Sequence, residues 1–225
     1  MALFDWLKKP RNLTHFEDHY ALNRESLYAA LRDPIERCQN QSELVLLLAH
    51  FPDCFSQMAE MLEQWGINYQ VVAKPLDAAW FEATTGADTV YLSLAEMLDY
   101  SPASVETRGM PTDDQLQIAS IFVLERHPIL AKDNRLAEFA KRIPNPVRLG
   151  YFLSLEDNVI QKMIHQHLRL LLSQMGLSDQ ELITSNMISR RLKKVLARQP
   201  QIENEHPADS AAQWYELNMS DDESI

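Results

Sequence analysis

Five short, mostly apolar runs punctuate the chain: Leu44–Phe51, Ile67–Ala73, Asp88–Leu94, Ile118–Leu124 and Val147–Leu155. Each has the length, and the β-branched or aromatic content, of a buried strand. Between them the apolar positions recur at helical spacing. Met58, Met61, Leu62 and Trp65 follow Pro52 and Asp53, with Asp53 as the expected N-cap and Gly66 as the expected stop. Asp77–Ala83 predicts a short helix, and Ala95–Asp99 reads as helix as well. Leu136, Phe139, Ala140 and Ile143 predict a helix over Leu130–Ile143, ended by Pro144 and Pro146. Asp157 is placed to cap a further helix carrying Val159, Ile160, Met163, Ile164, His167, Leu168 and Leu171, which runs to Met175 and Gly176. Upstream, Leu22–Leu31 predicts a helix that ends near Pro34, and downstream Ile188, Leu192, Val195 and Leu196 form one stripe of a helix over Asn186–Gln199. Strands alternating with helices predict an α/β fold, a parallel sheet with helices on both faces, with helical extensions at the N- and C-terminal ends.

Three blocks carry a resemblance. Glu125-Arg126-His127, then Asp133-Asn134-Arg135-Leu136, then Tyr151-Phe152-Leu153-Ser154-Leu155-Glu156-Asp157 stand in the order and spacing of ERH, DNQL and FYLSLED in the second nucleotide-binding domain of the SecA preprotein translocase motor. The chain resembles that domain from Leu44 to Val195, with residues 95–117 the weakest part, and the segment from Met175 to Val195 is similar to the start of the family's scaffold helix. The resemblance implies a RecA-like fold, as in the C-terminal domain of helicases.

The nucleotide machinery of that family is eroded here. Arg135 replaces the Gln of DNQL, and Glu138–Val147 replaces a glycine-rich GRxGRQGDPG loop. In register, Phe139 takes the place of the first arginine and Arg142 that of the second, so Arg142 is the one candidate for contact with a nucleotide. The strand Asp88–Leu94 leads into Ala95-Glu96-Met97 where the family has GRGTDI. The five glycines are isolated, and neither GxxxxGK[ST] nor GxGxxG occurs. A phosphate cradle needs several glycines, because the backbone itself must approach the phosphates. No cofactor is expected.

Composition narrows the partners. A formal charge of −11 over 225 residues disfavours nucleic acid, which requires clustered positive charge. Cys38 and Cys54 form no metal or disulfide pattern. No run reaches the roughly 18 apolar residues of a membrane span, and MALFDWLKKP lacks the form of a secretory signal. A cytoplasmic protein is expected.

His15 and His19 would share a helical face, but HxExH is not the zinc order HExxH, and a solvated helix start explains them. His165 and His167 lie two apart and face different ways on a helix. No metal is expected. Glu125, Arg126 and His127 offer an acid, a cation and a base where α/β sheets bind ligands, although hydrogen-bonding neighbouring loops to hold the strand end is the favoured explanation. Arg190, Arg191, Lys193 and Lys194 surround the apolar stripe of the last helix; a solvated amphipathic face is the usual explanation, and a docking helix for an acidic partner the sharper one. Residues 200–225 hold seven acidic residues and no Lys or Arg, a composition that does not fold alone, with Trp214 and Tyr215 as a recognition segment or a weak contact on the domain.

The expected organisation is a helical extension over residues 1–43, a SecA-like α/β domain over 44–160, a helical extension over 161–199 and a disordered acidic tail over 200–225. The function expected is that of a non-catalytic module that binds a protein partner, a translocase component being the natural candidate. The alternatives are an ATPase half-site supplying Arg142 in trans to a partner's nucleotide and a helicase-like nucleic-acid binder.

Overall fold

The computed structural model describes residues 13–15, 18–84, 88–99, 117–143, 145–162, 182–199, 202 and 204–219. Eight strands form one sheet: β1 (Leu13–His15), β2 (His19–Ala21), β3 (Leu44–Ala49), β4 (Tyr69–Val71), β5 (Val90–Leu94), β6 (Ala119–Val123), β7 (Val147–Ser154) and β8 (Ile183–Thr184). Their order is β4-β5-β3-β6-β7-β2-β8, with β1 also beside β7. Every pairing is parallel except that of β2 with β8. The helices are α1 (Arg24–Asn40), α2 (Pro52–Trp65), α3 (Ala78–Ala83), α4 (Leu130–Ala140), α5 (Asn158–Gln161), α6 (Asn186–Leu196) and α7 (Ala211–Asn218). This is an α/β architecture, a mostly parallel sheet with helices on both faces.

The central strand β3 explains why the sheet needs two covers. All six of its residues are buried, and successive side chains go to opposite faces. Leu44, Leu46 and Leu48 join a core with Leu136 and Phe139 of α4, Ile188 and Leu192 of α6, and Trp214 of α7. Val45, Leu47 and Ala49 join a second core with Leu27, Leu31 and Ile35 of α1 and Met58 and Leu62 of α2.

Within this frame several local expectations change. Helix α1 runs through Pro34, because Leu27, Leu31, Ile35 and Cys38 continue one buried face on both sides of it. That burial outweighs the one backbone bond proline removes. The N-cap of α2 is Phe51, with Pro52 in the first turn, so Asp53 lies inside the helix. Gly66 does end it, at φ 68°. Ala95–Met97 makes a single 3₁₀ turn in place of the expected longer helix. Asp157 stands at the N-cap of α5, but its carboxylate accepts from the backbone N–H of Ser154 and from Arg24, 2.9 and 3.1 Å away. The continuation of that helix, His165 and His167, the loop over Ser101–Asp114 and residues 1–12 lie outside the described residues.

Two larger corrections concern the ends. The N-terminal segment is not a helical extension. β1 pairs with Val147–Leu149 and β2 with Phe152–Ser154, so the two form one interrupted strand along β7, and α1 covers the second core. The C-terminal segment is not a disordered tail throughout. Residues 204–219 fold onto the domain, with Trp214 and Tyr215 only 1 % and 3 % exposed. Its acidity rules out folding alone, not docking on a surface that already exists. Tyr215 lies beneath the Lys162 ammonium at 4.3 Å, and Trp214 and Tyr215 share the first core with Val159 and Ile160 of α5.

Burial predicts the response to mutation. Leu47→Ala, at a fully buried site in β3, should cost about 2–5 kcal/mol. Met187→Ala, at a site 68 % exposed, should change stability by no more than about 0.5 kcal/mol. Urea denaturation checks both, and equal effects would contradict the assignment of the core.

Candidate functional site

Strands β3, β5 and β6 all point their carboxyl ends to one edge, the edge where α/β sheets take ligands. A cleft of about 630 Å³ lies there. Its walls come from Phe51 and Pro52 after β3, Ala95 and Glu96 after β5, His127 after β6, Lys132 and Arg135 of α4, and Glu205 to Trp214 of the C-terminal segment.

Glu125, Arg126 and His127 leave the end of β6 together, all buried, and each is engaged from within the fold. Glu125 Oε1 accepts the backbone N–H groups of His50 and Phe51, both at 3.0 Å, and so ties the end of β3 to that of β6. Burial pushes its carboxyl up to about 7. Arg126 is clamped between two carboxylates: Nη1 lies 2.7 Å from Asp133 Oδ2, and Nη2 lies 2.8 Å from both oxygens of Asp18. Its guanidinium sits 3.8 Å above the Tyr151 ring of β7. Burial opposes the charge, but Asp133 and Asp18 outweigh it and raise the Arg126 pKa. Asp133 also meets His50 Nε2 at 3.0 Å. Burial works against its ionised form, yet His50 and Arg126 hold it below the usual carboxylate range.

Of the three, only His127 lines the cleft. Burial first, then the neighbouring His50 and Lys132, push its ring down to about 3. It is therefore neutral at pH 7. Its Nδ1 accepts from the Ile129 N–H at 3.0 Å, which assigns the ring proton to Nε2, 3.3 Å from Glu205 Oε1. The ring stacks on Phe51 at 5.2 Å and meets Trp214 edge-on at 5.6 Å.

The other candidate residues lie elsewhere. Arg142 follows α4, which returns the chain to the start of β7, so it sits at the opposite edge of the sheet from Glu125–His127, exposed. Arg190, Arg191, Lys193 and Lys194 are exposed on α6, whose other face is buried through Ile188, Leu192 and Leu196. Trp214 and Tyr215 are internal, so they do not present a free recognition surface. His15 and His19 lie on β1 and β2, not on one helix, and His19 stacks on Phe152 at 4.7 Å. Among the described residues no cluster of three His, Cys, Asp or Glu is arranged to hold a metal, and no helix is long and apolar enough to cross a membrane.

The sequence reading missed Asp18, His50 and Glu205 as members of this site. A charged residue one or two positions from a short strand was the available signal, and for Asp18 and His50 it applies.

Comparison with known proteins places this arrangement. No family model matches the chain. It is similar to protein translocase subunit SecA of Stenotrophomonas maltophilia, 24 % identical over 206 residues and 79 % of this chain. It is also similar to SecA of Stutzerimonas stutzeri, 23 % identical over 83 % of this chain, and of a Nitratiruptor species, 31 % identical over 42 %. The chain spans about a quarter of the length of the first and second of these relatives and 11 % of the third. The C-terminal part of the Fun30 ATPase domain superposes on 74 % of the chain with a TM-score of 0.39 and 11 % identity, a likeness too slight to build on. Over most of its length the chain is thus similar to one part of protein translocase subunit SecA.

The raised Glu125 pKa has a measurable consequence. A carboxyl raised from 4.5 to about 7 contributes stability that is complete below its unfolded pKa and is lost as pH rises through 7. Asp157, pushed up to about 6 by burial, acts in the same direction at lower pH, whereas His127 acts in the opposite one. Glu125→Gln isolates the first effect. The stability of the native chain relative to this variant should fall by about 2 kcal/mol from about pH 5.5 to about pH 8. Parallel profiles in urea titrations would refute it.

Proposed function

We propose that the chain is a non-catalytic SecA-like module that works in the cytoplasm by contact with an acidic protein surface, in protein translocation. The observation that carries this reading is the basic row on α6. In a chain of formal charge −11, Arg190, Arg191, Lys193 and Lys194 stand exposed, and among the described residues none has an ion-pair partner within 4.0 Å. Such a row attracts and orients an acidic partner. The strand-end groups support the same reading, because their charges and hydrogen bonds are already used by the fold. The translocation context comes from the relatives, which are translocase subunits. The half-site reading has only the exposure of Arg142 in its favour.

A fourfold variant, with Glu at 190, 191, 193 and 194, tests the proposal. Affinity capture from native cytosol should retain a translocase component on the unaltered chain and lose it on the variant, with raised salt weakening the capture. Retention by both, or by neither, overturns the reading.

A further inference from the structure

The segment Glu205–Trp214 lies across the carboxyl-edge cleft as a ligand would. Glu205 places its carboxylate 2.8 Å from Lys132 Nζ and 3.3 Å from His127 Nε2, with the indole N–H of Trp214 donating to it at 2.8 Å. Burial opposes the ionised form, but Lys132 and Trp214 outweigh it and hold this carboxyl below its ordinary range. Four residues on, the Asp209 carbonyl accepts the first-turn N–H of Asp53 in α2 at 2.9 Å. Trp214 then covers the His127–Phe51 ring stack.

Two features separate this segment from an ordinary structural piece. First, it does not fill the space it covers. A cleft of about 630 Å³, open to solvent and lined by both the segment and the strand ends, remains beside it. Secondly, it is closed on itself. The Asn218 side chain accepts from the N–H of His206 at 2.6 Å and donates to its carbonyl at 3.0 Å. The Gln213 side chain accepts from the N–H of Asp209 at 2.6 Å, and Ser210 Oγ caps the N–H of Gln213 at 3.2 Å. The polar contacts at its rim, with Lys132 41 % and Glu205 24 % exposed, are of the exchangeable kind.

We propose that the carboxyl-edge cleft is a docking site for a partner's acidic–aromatic peptide segment, and that Glu205–Trp214 is the intramolecular occupant that such a segment displaces. The chemistry required of the partner is read from the occupant: a carboxylate for Lys132 and His127, a main-chain carbonyl for the first turn of α2, and an indole for the His127–Phe51 stack. This inference rests on the reading of the chain as a protein-contact module. It adds a second contact, on a different face from the basic row of α6, under intramolecular competition.

A labelled peptide with the sequence of residues 204–219, added to the full-length chain, is the probe. The tethered segment competes at an effective concentration on the order of millimolar, so the unaltered chain should bind the peptide weakly. Glu205→Lys in the chain loosens the occupant and should tighten peptide binding at least tenfold, with faster hydrogen exchange confined to residues 205–214. Peptides carrying Glu205→Lys or Trp214→Ala should not bind. Lys132→Glu added to the Glu205→Lys chain re-pairs the charges, should close the site again and should return both readouts to those of the unaltered chain. Equal binding to both single-state chains, no binding to the Glu205→Lys chain, or dimers formed by exchange of the segment between copies would each overturn the proposal. The fourfold α6 variant separates the two readings. If the peptide fails while α6-dependent capture persists, the docking site alone is wrong. If capture is indifferent to α6 while the peptide binds and is displaced as described, the α6 reading fails and the docking site stands.

Discussion

The buried guanidinium of Arg126 holds this fold together at the carboxyl edge of its sheet. Arg126 is 3 % exposed and is shared between Asp18, just before β2, and Asp133 of α4, while its plane rests on Tyr151 of β7. Four parts of the fold therefore meet on one charge, Asp18 from 108 residues away and Asp133 from only 7. Burying such an ion is costly, and the cost is offset only because both carboxylates reach it with short, charge-assisted bonds. The arrangement is also what commits the N-terminal segment to the sheet: with Asp18 fixed on Arg126, His19–Ala21 lies in register with Phe152–Ser154.

The same clamp determines what the neighbouring groups are free to do. Asp133 is shared with His50, Glu125 is spent on the backbone that follows β3, and His127 is neutral and covered by Trp214. An acid, a cation and a base in sequence look like catalytic equipment. In three dimensions they join strand ends, and only the His127 ring reaches the cleft. A perturbed pKa such as that of Glu125 accompanies structural burial as readily as catalysis.

The strands of the centre were legible in the sequence because Leu44–Ala49, Val90–Leu94, Ala119–Val123 and Val147–Ser154 are long enough and apolar enough to carry a pattern. β1 and β2 were not. Three-residue strands such as His19-Tyr20-Ala21 have no period to detect, and they depend on neighbouring strands to pair with. Helix α1 was cut short at Pro34 because proline is weighed locally, whereas the face from Leu27 to Cys38 is rewarded by a sheet that local reading does not see. The C-terminal segment was misjudged on similar grounds. Its charge describes its behaviour alone, and Trp214 and Tyr215 describe its behaviour beside α5 and α6. The strand-end trio was legible as a cluster, but its partners Asp18 and Glu205 lie 108 and, counting from His127, 78 residues away in sequence, beyond the reach of spacing arguments.

The strand-end groups are held by the fold itself, while Phe139 is buried and Arg142 lies on the edge away from the cleft. Titration calorimetry of the full chain with ATP and magnesium tests that account most directly. No saturable binding is predicted, because the sequence has neither GxxxxGK[ST] nor GxGxxG, the glycine-rich loops that present backbone N–H groups to a triphosphate. Micromolar affinity for the nucleotide would contradict it.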